Sequence, residues 1–338
     1  MRISSLFVLA VAACLSIQTP LNAAPASVDR AAFQALRERV LHPPGSHVIV
    51  VAHRACFAAA PENSPQAIDA CWRQGVEVVE NDVRSTKDGE LVVMHDNTVD
   101  RTTNGWGYLD DLTLADLAKF RLRDNVGGAG AAVTPYPVTT LRDYYRAAKN
   151  KVMINLELKP SSSADFDTLL EKSLRIAEEE GVLDHIILKV PDTYSHGKVS
   201  GEHILAKLKL PGSIVIWPII WQAKALPTAR LDELEAYRPA GYEVPFLDQD
   251  FFRTIAQDRR VAGRPVMAVA VQPYWSGGLS DAASMPEPKA GWGRLIELGA
   301  NVIMTDRPEY LLRYLCDTGR RHTPRDSEPG CARQRDRQ

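Results

Sequence analysis

The sequence has no apolar run long enough to cross a bilayer. The stretch from Leu6 to Ile17 covers twelve residues, where a spanning helix needs about 20. It also lacks an excess of charge of either sign. With 40 basic and 42 acidic residues the formal charge is −2, so no global field calls for nucleic acid, and an anionic ligand has to be met by a local cluster of basic groups. There is no Cys-x-x-Cys pair of the kind that builds zinc sites. No repeat with a period of 20 to 50 residues is present, which argues against a solenoid. What remains is 338 residues, 45% hydrophobic and 24% charged, enough for one large domain or two small ones.

The first residues read as a processing segment: Arg2, the apolar run, Gln18-Thr-Pro, then alanines at 23, 24 and 26. We read residues 1–26 as a signal peptide cleaved between Ala23 and Ala26, which places the protein outside the cytoplasm, in the periplasm or secreted. A rival detail, Val11-Ala12-Ala13-Cys14, resembles a lipoprotein processing site that would anchor the chain through Cys14. Without the leader four cysteines remain, Cys56, Cys71, Cys316 and Cys331. An even count suits an oxidising compartment, and of three connectivities the local one, 56 with 71 and 316 with 331, is expected. Free core thiols are the alternative.

Residues 27–316 read as a single domain. An amphipathic helix over Val28 to Val40 stops at Pro43-Pro44-Gly45 and is expected to cover the bottom of the fold. His47 to Ala52 is a near-continuous apolar run, the mark of a strand buried on both faces. Ser64 and Pro65 open a helix that Gly75 stops. Strand and helix patterns then alternate to the end of the domain, which argues for a parallel sheet. Nine strand-like runs can be counted, one more than an eight-stranded barrel needs, and the surplus is expected at 214–220 or 243–247. Residues 97–140, rich in Thr, Gly and Asp, form a long connection of the kind that serves as a lid or binding loop. Residues 317–338 read as a solvated, disordered tail.

The chemistry gathers between residues 47 and 96. Two apolar runs end in His53-Arg54 and His95-Asp96, and between them strand 76–83 places Glu80 and Asp82 on one face. A later strand, 152–159, places Glu157 and Lys159 together. In an α/β barrel such strand ends converge on one mouth. Three carboxylates without a thiolate form a hard oxygen site suited to one divalent cation, Mg²⁺ or Ca²⁺. The bland alternative is an acidic cluster salt-bridged by Arg54 and Lys159. These two cations suit a phosphate, and the two histidines suit proton transfer to and from its ester oxygens. Of the other histidines, 42, 47, 185, 196, 203 and 322, none has such a setting.

His53-Arg54, Pro61-Glu62-Asn63-Ser64, Glu80-Asn81-Asp82-Val83-Arg84, Thr86-Lys87-Asp88-Gly89, His95-Asp96 and Arg101-Thr102-Thr103-Asn104-Gly105 resemble, in order and spacing, the glycerophosphodiester phosphodiesterase family. Glu157-Leu-Lys159 and Thr305-Asp306-Arg307-Pro308 extend the likeness. The resemblance implies a (β/α)8 barrel with a small insertion after the third strand, near 97–140, and hydrolysis of a small glycerophosphodiester to glycerol 3-phosphate and an alcohol. It implies His53 and His95 as the catalytic pair and Glu80, Asp82 and Glu157 as metal ligands. Arg54 and Lys159 become substrate-binding phosphate contacts, with Glu62 grouped beside them as a supporting carboxylate. In that family the substrate's own glycerol hydroxyl is thought to attack phosphorus, through a cyclic phosphate. One departure is Val271-Gln272-Pro273-Tyr274-Trp275 where relatives often carry Trp-Thr-Val-Asn; here Tyr274, Trp275, Phe57 and Trp221 could wall a choline-bearing group. The alternatives are a phospholipase D-like enzyme acting on lysophospholipid or sphingomyelin, and a non-catalytic exported phosphodiester-binding protein. The sequence leaves the oligomeric state open.

Overall fold

In the computed structural model the described residues are 29–191, 193–194, 199–200, 210–222, 227–321 and 331. The leader with Cys14, His196, His203, His322 and most of the tail lie outside them. Nine strands form one sheet: β1 (Ile49–Ala52), β2 (Val78–Ser85), β3 (Leu91–Val93), β4 (Met153–Leu158), β5 (Ile186–Val190), β6 (Val215–Pro218), β7 (Tyr242–Glu243), β8 (Val266–Val269) and β9 (Val302–Thr305). All but β3 run parallel, in the order β6-β5-β4-β2-β1-β9-β8-β7. A parallel bridge between Ile219 and Glu243, with Ile220 N–H donating to the Glu243 carbonyl at 2.8 Å, joins the two ends. The result is a nearly closed eight-stranded parallel barrel.

The surplus strand is therefore the third run, and the expectation that 214–220 or 243–247 lay outside the barrel is corrected. β3 pairs antiparallel to β2, Val83 opposite Val93. The physical reason is the length of the link. Thr86 to Glu90 is a tight turn closed by Thr86 N–H to the Glu90 carbonyl and Gly89 N–H to the Thr86 carbonyl, whereas a parallel return needs a dozen or more residues. Gly89 takes φ 78°, which the turn demands and which a β-carbon would strain.

Apolar side chains fill two concentric layers. Outside the barrel the helices pack on the strands, among them the helix Pro65–Gln74, capped by Ser64 Oγ on the Ala67 N–H at 3.2 Å and ended by Gly75 in the left-handed region, as its sequence predicts. Inside, Ile49, Val51, Val78, Met153, Ile187 and Trp217 face one another, and the helix Arg30–Leu41 closes this layer from below with Phe33, Val40 and Leu41. Phe33 stacks on His185 at 3.7 Å between ring centroids, and Arg37 donates to the carbonyls of Asp184 and Ser213. A buried ring of this size is worth about 3–5 kcal/mol against truncation to alanine.

Under 97–140 lies a third cluster, built on Val92, Val99, Leu109, Leu117 and Leu122. The first part of the predicted tail is not free. The Arg321 side chain is buried, with its guanidinium on Glu77 at 2.6 Å and on the Gly75 carbonyl at 2.7 Å. Cys331 is bonded back to Cys316, and Cys56 to Cys71, which is the local pairing expected from the sequence. Among the described residues no helix is long and apolar enough to cross a membrane.

Candidate active site

At the C-terminal end of the barrel the alternation of β2 and its register with β4 build the acidic centre. Glu80 and Asp82 share a face, and Asp82 pairs directly with Glu157 across the strands. One carboxylate oxygen from each of Glu80, Asp82 and Glu157 lies within 4.8 Å of the others, so the three can hold a metal ion. Glu80 and Asp82 are almost fully buried. The cluster is matched by cations: Lys159 Nζ reaches Glu157 and lies 3.1 Å from Asp82, and Lys189 Nζ lies 2.7 Å from Glu157. Burial pushes the Asp82 carboxyl up, but Lys159, His95 and Arg54 outweigh it and hold it well below the usual carboxylate range. Burial likewise raises Glu157, yet Lys159 and Lys189 bring it to about 2. For Glu80, burial and then Asp82 push upward and prevail. Buried hard oxygen donors that demand positive charge are the donor set a divalent cation fits.

The loop after β1 turns sharply, with Arg54 at φ 54° and Ala55 at φ 63°. Two consecutive non-glycine residues in the left-handed region mark strain held at a functional position. The turn aims Arg54 N–H at Glu80 Oε2, 3.1 Å away. His53 Nδ1 lies 2.7 Å from Asp306 Oδ1, and His95 Nδ1 lies 2.8 Å from Asp96 Oδ1. A carboxylate only accepts, so each Nδ1 is the donor and each Nε2 is left for chemistry. For His53, burial lowers the pKa, but Asp306 and Glu80 more than offset it and the balance is upward.

A cavity of about 280 Å³ opens over this centre, lined by His53, Asp82, His95, Glu157 and Lys159 on one side. Five of the expected site residues thus meet at one place, with Glu80 against them. Arg54 and Glu62 do not line it. Both Glu62 oxygens are taken bidentately by Arg101 at 2.8 Å, with Arg54 at 3.4 Å behind. Arg101 continues to Asp96 at 2.6 Å and so to His95. Through Arg101 and Asp96, Glu62 stands as a supporting carboxylate under His95. Asn63 Nδ2 donates to Asp82 Oδ2 at 3.3 Å. Of the expected aromatic wall, Trp221 and Trp275 line the cavity, Tyr274 packs edge-on to Trp275, and Phe57 is buried without lining the cavity.

Sequence reasoning missed Lys189, Glu243 and Asp281. Lys189 is a lone charge in the apolar strand β5 and Glu243 a lone acid in β7, each of which is costly to bury without a partner and could have been singled out on that ground. Burial carries Glu243 up to about 7 despite Lys189. Asp281 collects three donors: Thr305 Oγ1 at 2.7 Å, Trp292 Nε1 at 2.9 Å and the Asp306 N–H at 2.7 Å.

A parallel barrel whose mouth joins a carboxylate triad, two aspartate-held histidines and paired lysines is a fold and site of the (β/α)8 enzyme class, with groups that can hold a cation and meet an anion. Residues 53–189 match the model of the Glycerophosphoryl diester phosphodiesterase family, and residues 217–315 match a domain of unknown function. The likeness to the glycerophosphodiester phosphodiesterase family read from the motifs is thereby shown. A glycerophosphodiester phosphodiesterase of Caldanaerobacter subterraneus is 33% identical over 148 residues, 44% of this chain and 59% of that protein. A solved glycerophosphoryl diester phosphodiesterase from Parabacteroides distasonis superposes with TM-score 0.65 at 19% identity, covering 85% of this chain and 92% of that one. An Oleispira antarctica phosphodiesterase solved with the product sn-glycerol-3-phosphate gives 0.58 at 22% identity, covering 79% and 96%. The alignments with three curated relatives span between 36% and 59% of their length.

Proposed function

We propose that the protein is an exported glycerophosphodiester phosphodiesterase that releases glycerol 3-phosphate and an alcohol. The observation that carries this reading is the pair of histidines, His53 and His95, each fixed through Nδ1 by a carboxylate and both facing one cavity with Lys159 and the acid triad. Glu80, Asp82 and Glu157 would hold a divalent cation, which supplies Lewis-acid stabilisation of charge on the phosphoryl oxygens when bound. Lys159 meets the phosphate as a point charge, and Arg54 acts from behind the cluster.

One histidine takes the proton of the attacking hydroxyl at Nε2 as the new P–O bond forms. The other gives a proton to the departing alkoxide as its P–O bond breaks. No serine, cysteine or threonine is among the described residues lining the cavity. This supports attack by the substrate's own glycerol hydroxyl, with water opening the cyclic phosphate in a second step. The disulfides Cys56–Cys71 and Cys316–Cys331 support an oxidising compartment, which cell fractionation with N-terminal sequencing of the mature protein tests. A processed end at Cys14 would replace the soluble product by a lipoprotein.

The deciding assay is glycerol 3-phosphate release from glycerophosphocholine and glycerophosphoethanolamine by the purified protein, after chelation and with Mg²⁺ or Ca²⁺ restored. Metal-dependent release that falls by about 10²–10⁴ in His53→Ala or His95→Ala is expected. Silence on both substrates with either ion would sink the reading. A second reading, cleavage of lysophospholipid, is favoured by the exposed Trp106 and Tyr108 on 97–140. Turnover of lysophosphatidylcholine in place of the water-soluble diesters would select it.

A further inference from the structure

Among the described residues six that are not glycine take a positive φ, and three of them stand in the one loop between β1 and the helix Pro65–Gln74: Arg54 at 54°, Ala55 at 63° and Asn63 at 58°. Asparagine enters the left-handed region readily, whereas the β-carbon of alanine crowds a carbonyl oxygen there. The strained turn orients two acids of the triad. Arg54 N–H donates to Glu80 Oε2 at 3.1 Å. The Arg54 carbonyl accepts the Asn63 N–H at 3.0 Å, and Asn63 Nδ2 in turn donates to Asp82 Oδ2 at 3.3 Å.

Strained backbone persists only where its surroundings over-determine it. The residue that follows the strained pair, Cys56, is bonded to Cys71 in the second turn of the helix Pro65–Gln74. That helix is a fixed post. Ser64 caps its start, Ile68 and Cys71 are buried against the core, and Asp69 meets Lys151 at 2.7 Å. The hydrogen bonds next to the turn are local, Phe57 N–H to the Ala55 carbonyl and Ala59 N–H to the Cys56 carbonyl, whereas the bridge reaches a separate element. Cys56 and Cys71 are 2% and 0% exposed, so the bond is sealed inside the fold.

We propose that the Cys56–Cys71 bridge is a positioning element for the divalent cation: it holds Arg54, Ala55 and Asn63 in the left-handed turn and through them aims Glu80 and Asp82 at the ion. The inference rests on the cation-binding reading of the triad above. Neither cysteine lines the cavity, so the effect runs through the backbone of the turn. A chain whose thiols stay reduced carries the same carboxylates but binds the ion more weakly. Oxidation of this one pair therefore completes the metal site as well as the fold.

The test is calorimetric titration of the full chain with Mg²⁺ and with Ca²⁺, each variant held below its thermal midpoint. Cys56→Ala with Cys71→Ala is expected to weaken ion binding by about 10–100-fold, the range for groups that orient metal ligands. Cys316→Ala with Cys331→Ala removes the other bridge, leaves this turn alone and should bind as the parent does. Ala55→Gly should change nothing in the parent but restore most of the affinity lost without the Cys56–Cys71 bridge, because glycine adopts positive φ without a β-carbon penalty. That rescue separates positioning from a general loss of stability. If the double alanine variant does not fold, Asn63→Gly carries the test: it keeps the turn and the bridge, deletes only the amide on Asp82, and should weaken binding severalfold, an unchanged affinity there overturning the inference. Equal affinity with and without the Cys56–Cys71 bridge, an equal loss from either bridge, a loss that Ala55→Gly leaves in place, or a parent that binds neither ion overturns it as well. Glycerol 3-phosphate release is measured apart from binding. Bridge-dependent ion binding without release keeps this inference and removes the hydrolytic reading. Release by a protein whose ion affinity ignores the bridge does the reverse.

Discussion

Asp281 accepts the backbone N–H of Asp306 at 2.7 Å, and Asp306 holds His53 Nδ1 at the same distance. A carboxylate from the segment after β8 therefore sets the residue that sets the histidine. Burial pushes Asp281 up to about 6 against the three donors that pull it down. In Asp281→Asn the amide can accept through one oxygen only, and its NH₂ faces a donor. We expect a fall of about 10–100-fold in kcat with little change in KM, and a lowered His53 pKa by NMR. An unchanged His53 titration would leave Asp281 a purely structural residue.

Metal removal should be visible without any substrate. A cation that binds the folded protein alone stabilises it by about 2.7 kcal/mol at a hundred times its Kd. Scanning calorimetry with chelator and then with Mg²⁺ or Ca²⁺ should show a midpoint that rises with ion concentration. Asp82→Asn should remove the response. A midpoint indifferent to both ions would favour the lysine-neutralised cluster as the resting state.

Acid should unfold the protein in two stages. Burial, only partly opposed by Asp184, lowers His185 to about 4 from 6.5. The unfolded chain therefore takes up this proton first, and about 3 kcal/mol present above pH 6.5 is lost as pH falls towards 4. Burial raises Glu77, but Arg321 and His47 bring it to about 2 from 4.5. Its contribution, again about 3 kcal/mol, is complete above pH 4.5 and is lost as pH falls towards 2. Urea midpoints at pH 7, 5 and 3 measure both windows. Arg321→Ala should abolish the second and cost about 3–5 kcal/mol at neutral pH, because it leaves a buried charge short of its partner.

Cys56 and Cys71 are 15 residues apart and tie the loop after β1 to the following helix. Closing a loop of that size is worth about 3 kcal/mol in chain entropy. The double variant Cys56→Ala with Cys71→Ala should lose that much in urea denaturation, and dithiothreitol should destabilise the parent but not the variant beyond its effect on Cys316–Cys331.

Local patterns made much of the site legible. The alternation of β2 fixed the common face of Glu80 and Asp82, and a second acid–lysine strand supplied Glu157 and Lys159. Ser64, Pro65 and Gly75 marked their helix to the residue. The surplus strand was misplaced because its apolar composition was weighed and the short link from β2 was not. Glu62 was read from its motif, while the partner that defines it, Arg101, stands 39 residues on. Asp281 had no local signal, since its donors lie 11, 24 and 25 residues away and converge only in the closed barrel.

The helix Arg30–Leu41 stoppers the barrel floor, with Phe33 seated on His185. Among the described residues, the cavity over the acid triad lies at the opposite, C-terminal end. Under the proposed hydrolysis, substrate would arrive, and both products would depart, past Trp221 and Trp275, which line that cavity. The alcohol and the phosphate have to queue, so whichever leaves second should act as a competitive inhibitor, and the first should inhibit only when the second is still in place.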